Sequence, residues 1–394
     1  MRIAQINAVS GEGSTGKICV GISKILNEQG IDNRIFYSFG SDEYQYAYKY
    51  SNDKYIKFQA LKSRVLGNYG FNSKSATNKL IKYLTEYQPH IVHIHNIHGH
   101  DCDLELLFTY LKSENIKIVW TFHDCWAFTG YCTYFTMCYC DKWQTGCKNC
   151  PQKGKYSWFF DRSSTLWQKK KELLSGVDLT IVTPSKWLAS LVKVSFFRDY
   201  PIEVINNGID LSIFHPAESD FRKKYACEDK FLLLGVSFEW EVRKGLDVFI
   251  ELAKRLDSKY KIVLVGTNDE VDKLLPSNII SIHRTNNQRE LVEIYSTVDL
   301  FVNPTREENF PTVNIESLEC GTPVLTFDTG GSPEIIDENC GSVVENNDID
   351  TLELKLRDIC TSNMFSCNTC LNRASIFDAD TRLGKYLELY KRIM

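Results

Sequence analysis

The segment that decides the fold is Glu308-Asn309-Phe310-Pro311-Thr312-Val313-Asn314-Ile315-Glu316-Ser317-Leu318-Glu319-Cys320-Gly321-Thr322-Pro323-Val324-Leu325. The apolar run Leu300-Phe301-Val302 before it reads as a buried strand. Asn309 suits an N-cap and Pro311 a first helical turn. The pattern predicts a helix over 312–319 that stops at Gly321, then a second buried strand over 323–327. Glu308 therefore lies at the mouth of a strand, and Glu316 about one turn inside the helix that follows. Between them the bare N–H groups of a helix start favour an anionic or hydroxyl-rich ligand. A nucleoside diphosphate sugar has matching parts: ribose hydroxyls for one carboxylate, sugar hydroxyls for the other, a diphosphate for the helix end. Two glutamates alone would equally suit a solvated helix face.

The second half upstream of this stretch repeats the same grammar. Strands are predicted over 231–237, 260–265 and 279–283, with an amphipathic helix over 246–256 and another over 288–296. Arg243 and Lys244 sit in the turn between the first strand and its helix, where two cations can neutralise a diphosphate. Arg284-Thr285, after the third strand, would face a base. Residues 343–394 read as helices, the last over 381–393.

The first half also alternates. Strands are predicted over 3–9, 34–39, 91–95, 116–122, 179–183 and 203–205, and helices over 18–26, 75–86 and 163–174. Residues 41–80 otherwise read as a long loop. Gly11, Gly13 and Gly16 spell G-x-G-x-x-G between a strand and a helix, the context of a dinucleotide site. The acid that such a site needs at the end of the second strand is missing: Asp32 precedes that strand and Asp42 lies beyond it. A phosphate-approach loop without a dinucleotide is the simpler reading. Five of the eight histidines fall between His90 and His100. Alternating His93 and His95 could hold a metal, but no carboxylate pattern supports one. His123 ends a parallel strand, where crevices form. Six of the 14 cysteines lie between Cys125 and Cys150. Cys147-Lys-Asn-Cys150 is knuckle-like, and Cys132, Cys140, Cys147 and Cys150 could supply four thiolates to a structural zinc. The alternative is a thiol-rich insert packed on Trp126 and Trp143.

A chain of 394 residues suggests two or three domains. Its 43% hydrophobic and 24% charged content is that of an ordinary globular protein. No apolar run approaches the ~20 residues of a membrane span, and the N-terminus reads as a strand, not a signal. A cytoplasmic protein with reduced thiols is expected. The net charge of −4 hides an asymmetry. Residues 1–200 hold 25 Lys/Arg against 17 Asp/Glu, and residues 201–394 hold 21 against 33. The basic half could rest on an anionic membrane at its inner face, although solvated faces without a partner fit as well. An acidic chain without a basic stripe argues against nucleic acid.

Glu-x7-Glu with Asn-Phe-Pro after the first acid and Gly-Thr-Pro-Val after the second resembles the donor motif of the family 4 retaining glycosyltransferases. Gly330-Gly331-Ser332-Pro333-Glu334-Ile335-Ile336 is similar to the segment that follows it there. The resemblance implies a GT-B fold: two Rossmann-like doubly wound domains facing a cleft. It sets an acceptor-side domain over 1–205 with a Cys-rich insert at 125–151, a donor domain over 206–380, and a terminal helix over 381–394 crossing back to the first domain. It implies transfer of a hexose from a nucleotide sugar to a glycan or lipid-linked acceptor, in polysaccharide or O-antigen assembly, without a catalytic metal or other cofactor. By the same resemblance, Lys244 and Arg243 hold the departing diphosphate, with Gly13 and Gly16 across from it. Glu316 holds the ribose. Glu308, His123 and the segment Asn309, Phe310, Pro311, Thr312 and Val313 hold the sugar. The family's usual Arg five residues before the Lys is Glu239 here, so either Arg243 takes over that role or the phosphate grip differs. A nucleotide-sugar epimerase of the same fold, or a silent nucleotide-sugar sensor, remains as a rival.

Overall fold

The computed structural model describes residues 1–362 and 364–394; residue 363, within the stretch read as helical, lies outside them. The chain divides into two compact units, Met1–Asn206 with Asp380–Met394, and Asn207–Ala379. Each is built on one parallel sheet.

The first unit has strands β1 (Arg2–Asn7), β2 (Asp32–Tyr37), β3 (Ala47–Lys49), β4 (Ile91–Ile94), β5 (Lys117–Thr121), β6 (Leu179–Thr183) and β7 (Ile202–Val204), in the order β3-β2-β1-β4-β5-β6-β7. Every pairing is parallel. Helices cover both faces, so the central strands are buried on both sides and mostly apolar: Ile3, Ile6, Val92, Ile94, Ile118 and Ile181 are all buried, and so are the polar Gln5, Asn7 and His93. The helix Ala379–Ile393 packs on this sheet through buried Tyr386 and Tyr390. Tyr390 Oη lies 2.6 Å from His93 Nδ1, and Thr121 Oγ1 lies 2.8 Å from His93 Nε2. Both nitrogens of His93 are thereby engaged, which removes the metal reading of the His93/His95 alternation.

The second unit has β8 (Phe231–Val236), β9 (Tyr260–Val265), β10 (Ile279–Ile282), β11 (Leu300–Asn303), β12 (Val324–Phe327) and β13 (Gly341–Val344) in the order β10-β9-β8-β11-β12-β13, again all parallel. In both sheets the order reverses beside the first strand, between β1 and β4 and between β8 and β11. Crevices form at such reversals, beyond the carboxyl ends of the strands.

Several expectations are corrected. The stretch read as a loop over 41–80 contains β3 and the helix Asp53–Leu66, capped by Asn52, whose side chain accepts from Tyr55 N, and ended by Gly67 at φ 67°. The first helix starts at Gly13, not after Lys17. Asp32 is the first residue of β2, at the wrong end for a ribose. The stretch read as wholly helical beyond 343 begins in β13. Pro311, not Asn309, is the N-cap of the helix Thr312–Glu319.

Candidate active site

Because the second sheet is parallel throughout, the loops after β8, β10 and β11 leave from one edge. β8 and β11 are neighbours, so the turn carrying Lys244 lies beside the turn carrying Glu308. Lys244 Nζ donates to Glu308 Oε2 at 2.6 Å. The Asn309 amide donates to Glu308 Oε1 at 3.0 Å. Burial pushes the Glu308 carboxyl up, but the charge and hydrogen bond of Lys244 and the Asn309 amide outweigh it, and the group ends below its ordinary value. It is an anion at neutral pH, and that state is lost as pH falls through the lowered value.

Arg306 fixes the two turns together. It is buried and donates two hydrogen bonds to the Asp247 carboxylate, at 2.7 and 2.8 Å. Its side chain also reaches Val242 O and Asn347, and its amide donates to Arg243 O at 2.9 Å. Arg243 lies on the same turn; its Nε donates to Glu241 at 2.7 Å and its guanidinium reaches Glu307 O at 3.4 Å. Neither Arg306 nor Asp247 was singled out from the sequence, although Arg306 precedes the motif by two residues.

Glu316 is half-buried, and Tyr295 Oη donates to its Oε2 at 3.3 Å. Pro311 gives its helix no side-chain cap, so no capping side chain covers the first-turn amides of Thr312 and Val313. Asn309 and Phe310 are buried: Asn309 O accepts from the Gly331 amide at 2.6 Å, and Phe310 packs on Phe377. Gly330, at φ 59°, comes so close to Glu308 that a Cβ there would stand 1.8 Å from Glu308 O. Arg284 is exposed, beyond β10, on an open recess of about 430 Å³ shared with Thr285, Asn286, Asn287 and Leu291.

In the first unit, His123 follows β5 and Asn96–His100 follow β4. His95 Nδ1 lies 3.1 Å from His123 Nε2, with the rings stacked at 5.4 Å. His98 Nε2 pairs with Asp124 Oδ2 at 2.8 Å, and Asp124 Oδ1 accepts from the Trp126 amide at 2.8 Å. Burial is the main force on His123; it outweighs Asp124 and pulls the imidazole down to about 4. His123 is thus neutral at pH 7 and can donate or accept a hydrogen bond, but carries no charge. Gly13 opens the first helix with no neighbour near its Cβ position. Gly16 is buried against its own turn: a Cβ there would stand 3.0 Å from Gly11 N, so the residue shapes that turn from within. Cys132, Cys140, Cys147 and Cys150 line one small cavity beyond Trp126.

Two all-parallel sheets, each with its strand order reversing beside the first strand, are the architecture of the GT-B type, and comparison with known proteins agrees. The profile described as "Glycosyltransferase Family 4" matches residues 16–213, and that of "Glycosyl transferases group 1" matches residues 218–374. The chain belongs to glycosyltransferase family 4. It is 21% identical over 373 residues to a protein of Escherichia coli K12 named as a colanic acid biosynthesis glycosyl transferase, WcaC, covering 89% of this chain and 88% of that one. It is 27% identical over 201 residues to the N,N'-diacetylbacillosaminyl-diphospho-undecaprenol alpha-1,3-N-acetylgalactosaminyltransferase of Campylobacter jejuni, which spans 48% of this chain and 53% of that one. Among solved structures, sucrose-phosphate synthase of Thermosynechococcus elongatus superposes with a TM-score of 0.70 at 16% identity, covering 100% of this chain and 98% of that one. Anabaena Alr3699/HepE in complex with UDP-glucose superposes with 0.69 at 15% identity, covering both chains fully. The structural likenesses speak for the GT-B fold. Among the described residues no helix is long and apolar enough to cross a membrane.

Proposed function

We propose that this chain is a retaining glycosyltransferase that moves a hexose from a nucleoside diphosphate sugar to a hydroxyl of a glycan or lipid-linked acceptor, in cell-surface polysaccharide assembly. The observation that carries the reading is the partly buried contact of Lys244 with Glu308 at the β8/β11 reversal, with the uncapped helix start of Thr312–Glu319 in the same motif. The names of the Escherichia coli and Campylobacter relatives support the acceptor class, and the UDP-glucose in the Anabaena structure supports the donor class.

In this reading the bond from the anomeric carbon to the diphosphate oxygen breaks as the acceptor oxygen approaches the same face. The acceptor's proton passes to the departing phosphate oxygen. The protein therefore needs charge stabilisation more than a strong base. Lys244, Arg243 and the first-turn amides hold the leaving diphosphate, which makes the step independent of a divalent cation. Glu308 hydrogen-bonds the sugar. Glu316, steadied by Tyr295, takes the ribose hydroxyls.

Glu316→Ala is expected to raise the donor KM by about 10- to 100-fold, the size of a lost hydrogen bond to a charged group, with a smaller loss in kcat. Steady-state kinetics over a panel of nucleotide sugars checks this, with a thermal-shift screen to find the donor first. Unchanged donor KM would remove Glu316 from the ribose.

A further inference from the structure

We infer that Cys132, Cys140, Cys147 and Cys150 hold one structural zinc ion as a closed tetrathiolate, with Lys170 buried beside it as counter-charge. From Phe122 to Arg162 the chain has no regular structure beyond Trp126–Phe128, Lys142–Gln144 and Lys153–Tyr156. A stretch that long needs a staple of some kind. No disulfide supplies one, because all 14 cysteines are free thiols.

All four cysteines are among the residues that line one cavity of about 20 Å³, room for little more than one water and ample for an ion. Cys147-Lys-Asn-Cys150 turns through Asn149 at φ 47°, and Gly130 N–H donates to Cys147 Sγ at 3.2 Å. Backbone N–H groups aimed at sulfur are how proteins support metal-bound thiolates. Cys138 is left out: its thiol donates to Phe135 O at 3.2 Å and accepts from Gln152.

Lys170 is the second, independent observation. It is fully buried, its Nζ donates to Trp126 O at 2.7 Å and Thr129 O at 3.1 Å, and it lies 3.6 Å over the Trp126 ring. Among the described residues no carboxylate stands within ion-pair distance of it. A buried ammonium is costly without an anion nearby. Zinc with four thiolates carries a net charge of −2 and supplies that anion.

Among the described residues, the donors whose ligand atoms already lie within 4.8 Å of one another are instead Asp269, Asp272 and His283, all exposed. The thiols are spaced more widely. Metal binding would draw them to about 2.3 Å from zinc and release their protons to solvent. The metal would then hold Trp126–Thr129, and through the Trp126 amide Asp124, in place beside His123.

The test is the metal content of the full chain, purified under reducing conditions without chelator. One zinc per chain is expected. Cys138→Ser should keep it, and Cys140→Ser and Cys150→Ser should lose it. After chelation, cobalt(II) should restore full occupancy with the absorption of a tetrahedral four-thiolate site. This readout on the unaltered sequence decides the matter even if a serine variant fails to fold. Lys170→Met should weaken zinc binding by about 10- to 100-fold, as removing an outer-shell partner does. Iron in place of zinc, a Cys132–Cys150 disulfide, zinc retained when both Cys140 and Cys150 are serine, or a chain that takes up neither zinc nor cobalt would each overturn the assignment.

Discussion

Replacing Lys244 with alanine is expected to lower nucleoside diphosphate release by roughly a hundred- to a thousandfold, the usual cost of removing one preorganised group facing developing charge. Lys244 is three-quarters buried and held at 2.6 Å from Glu308, so on the proposed mechanism it would already be in place when charge builds on the diphosphate. Water cannot replace it at equal strength in a partly desolvated turn. The substitution also strands Glu308, a buried carboxylate, and some loss will be of structure. Thermal melting of Lys244→Ala separates the two: a variant that melts with the intact chain yet turns over slowly has lost leaving-group stabilisation and not its fold. A fall of less than a few-fold for Lys244→Ala would remove the lysine from the leaving-group role.

Gly330→Ala is the second large effect. An alanine at φ 59° is strained, and its Cβ would meet Glu308 O at 1.8 Å. Either the 329–331 turn or the Glu308–Asn309 backbone must move, and the Gly331 to Asn309 hydrogen bond moves with it. The expected loss is about 2–3 kcal/mol of stability in the second unit, with a melting shift of about 5–10 °C. Donor binding should fall alongside, since the displaced backbone carries Glu308. Gly384→Ala is the control: nothing lies within 4 Å of that Cβ position, and it sits inside the helix Ala379–Ile393, so alanine there should be neutral or slightly stabilising. Calorimetry and nucleotide titration of the two variants side by side would show it; equal melting would contradict the packing argument.

How much of this was visible in the sequence depended on the scale of the signal. Ser163–Leu174, Leu179–Thr183, Tyr260–Val265 and Thr312–Glu319 have the bounds that their periodicity gives. Asp53–Leu66 escaped because only Ile56, Gln59 and Ser63 are buried on it, too faint an apolar face to register. Its ends were legible, in Asn52 before it and Gly67 after it. The acids and cations of the donor side could be named one by one, yet the pairing of Lys244 with Glu308 could not. That contact exists because β8 lies beside β11, and strand order is a property of the whole sheet. Arg306 was missed for the same reason, since its partner Asp247 lies across that boundary. Lys170 stands in the run Lys169-Lys170-Lys171, whose charge favours a solvated reading. Its spacing with Leu166, Trp167 and Leu174 places it on the buried face, a signal that was present and overridden by the charge run.

On the proposed mechanism the sugar leaves a diphosphate held at the β8/β11 reversal and is taken by the acceptor on the face it left. Slow transfer of the sugar to water, followed by proton NMR before the product mutarotates, tests this most directly. With an α-linked donor the account predicts an α-configured free sugar, formed by the intact chain and nearly absent with Lys244→Ala. A β-configured product, or a nucleotide sugar returned as its epimer, would contradict it.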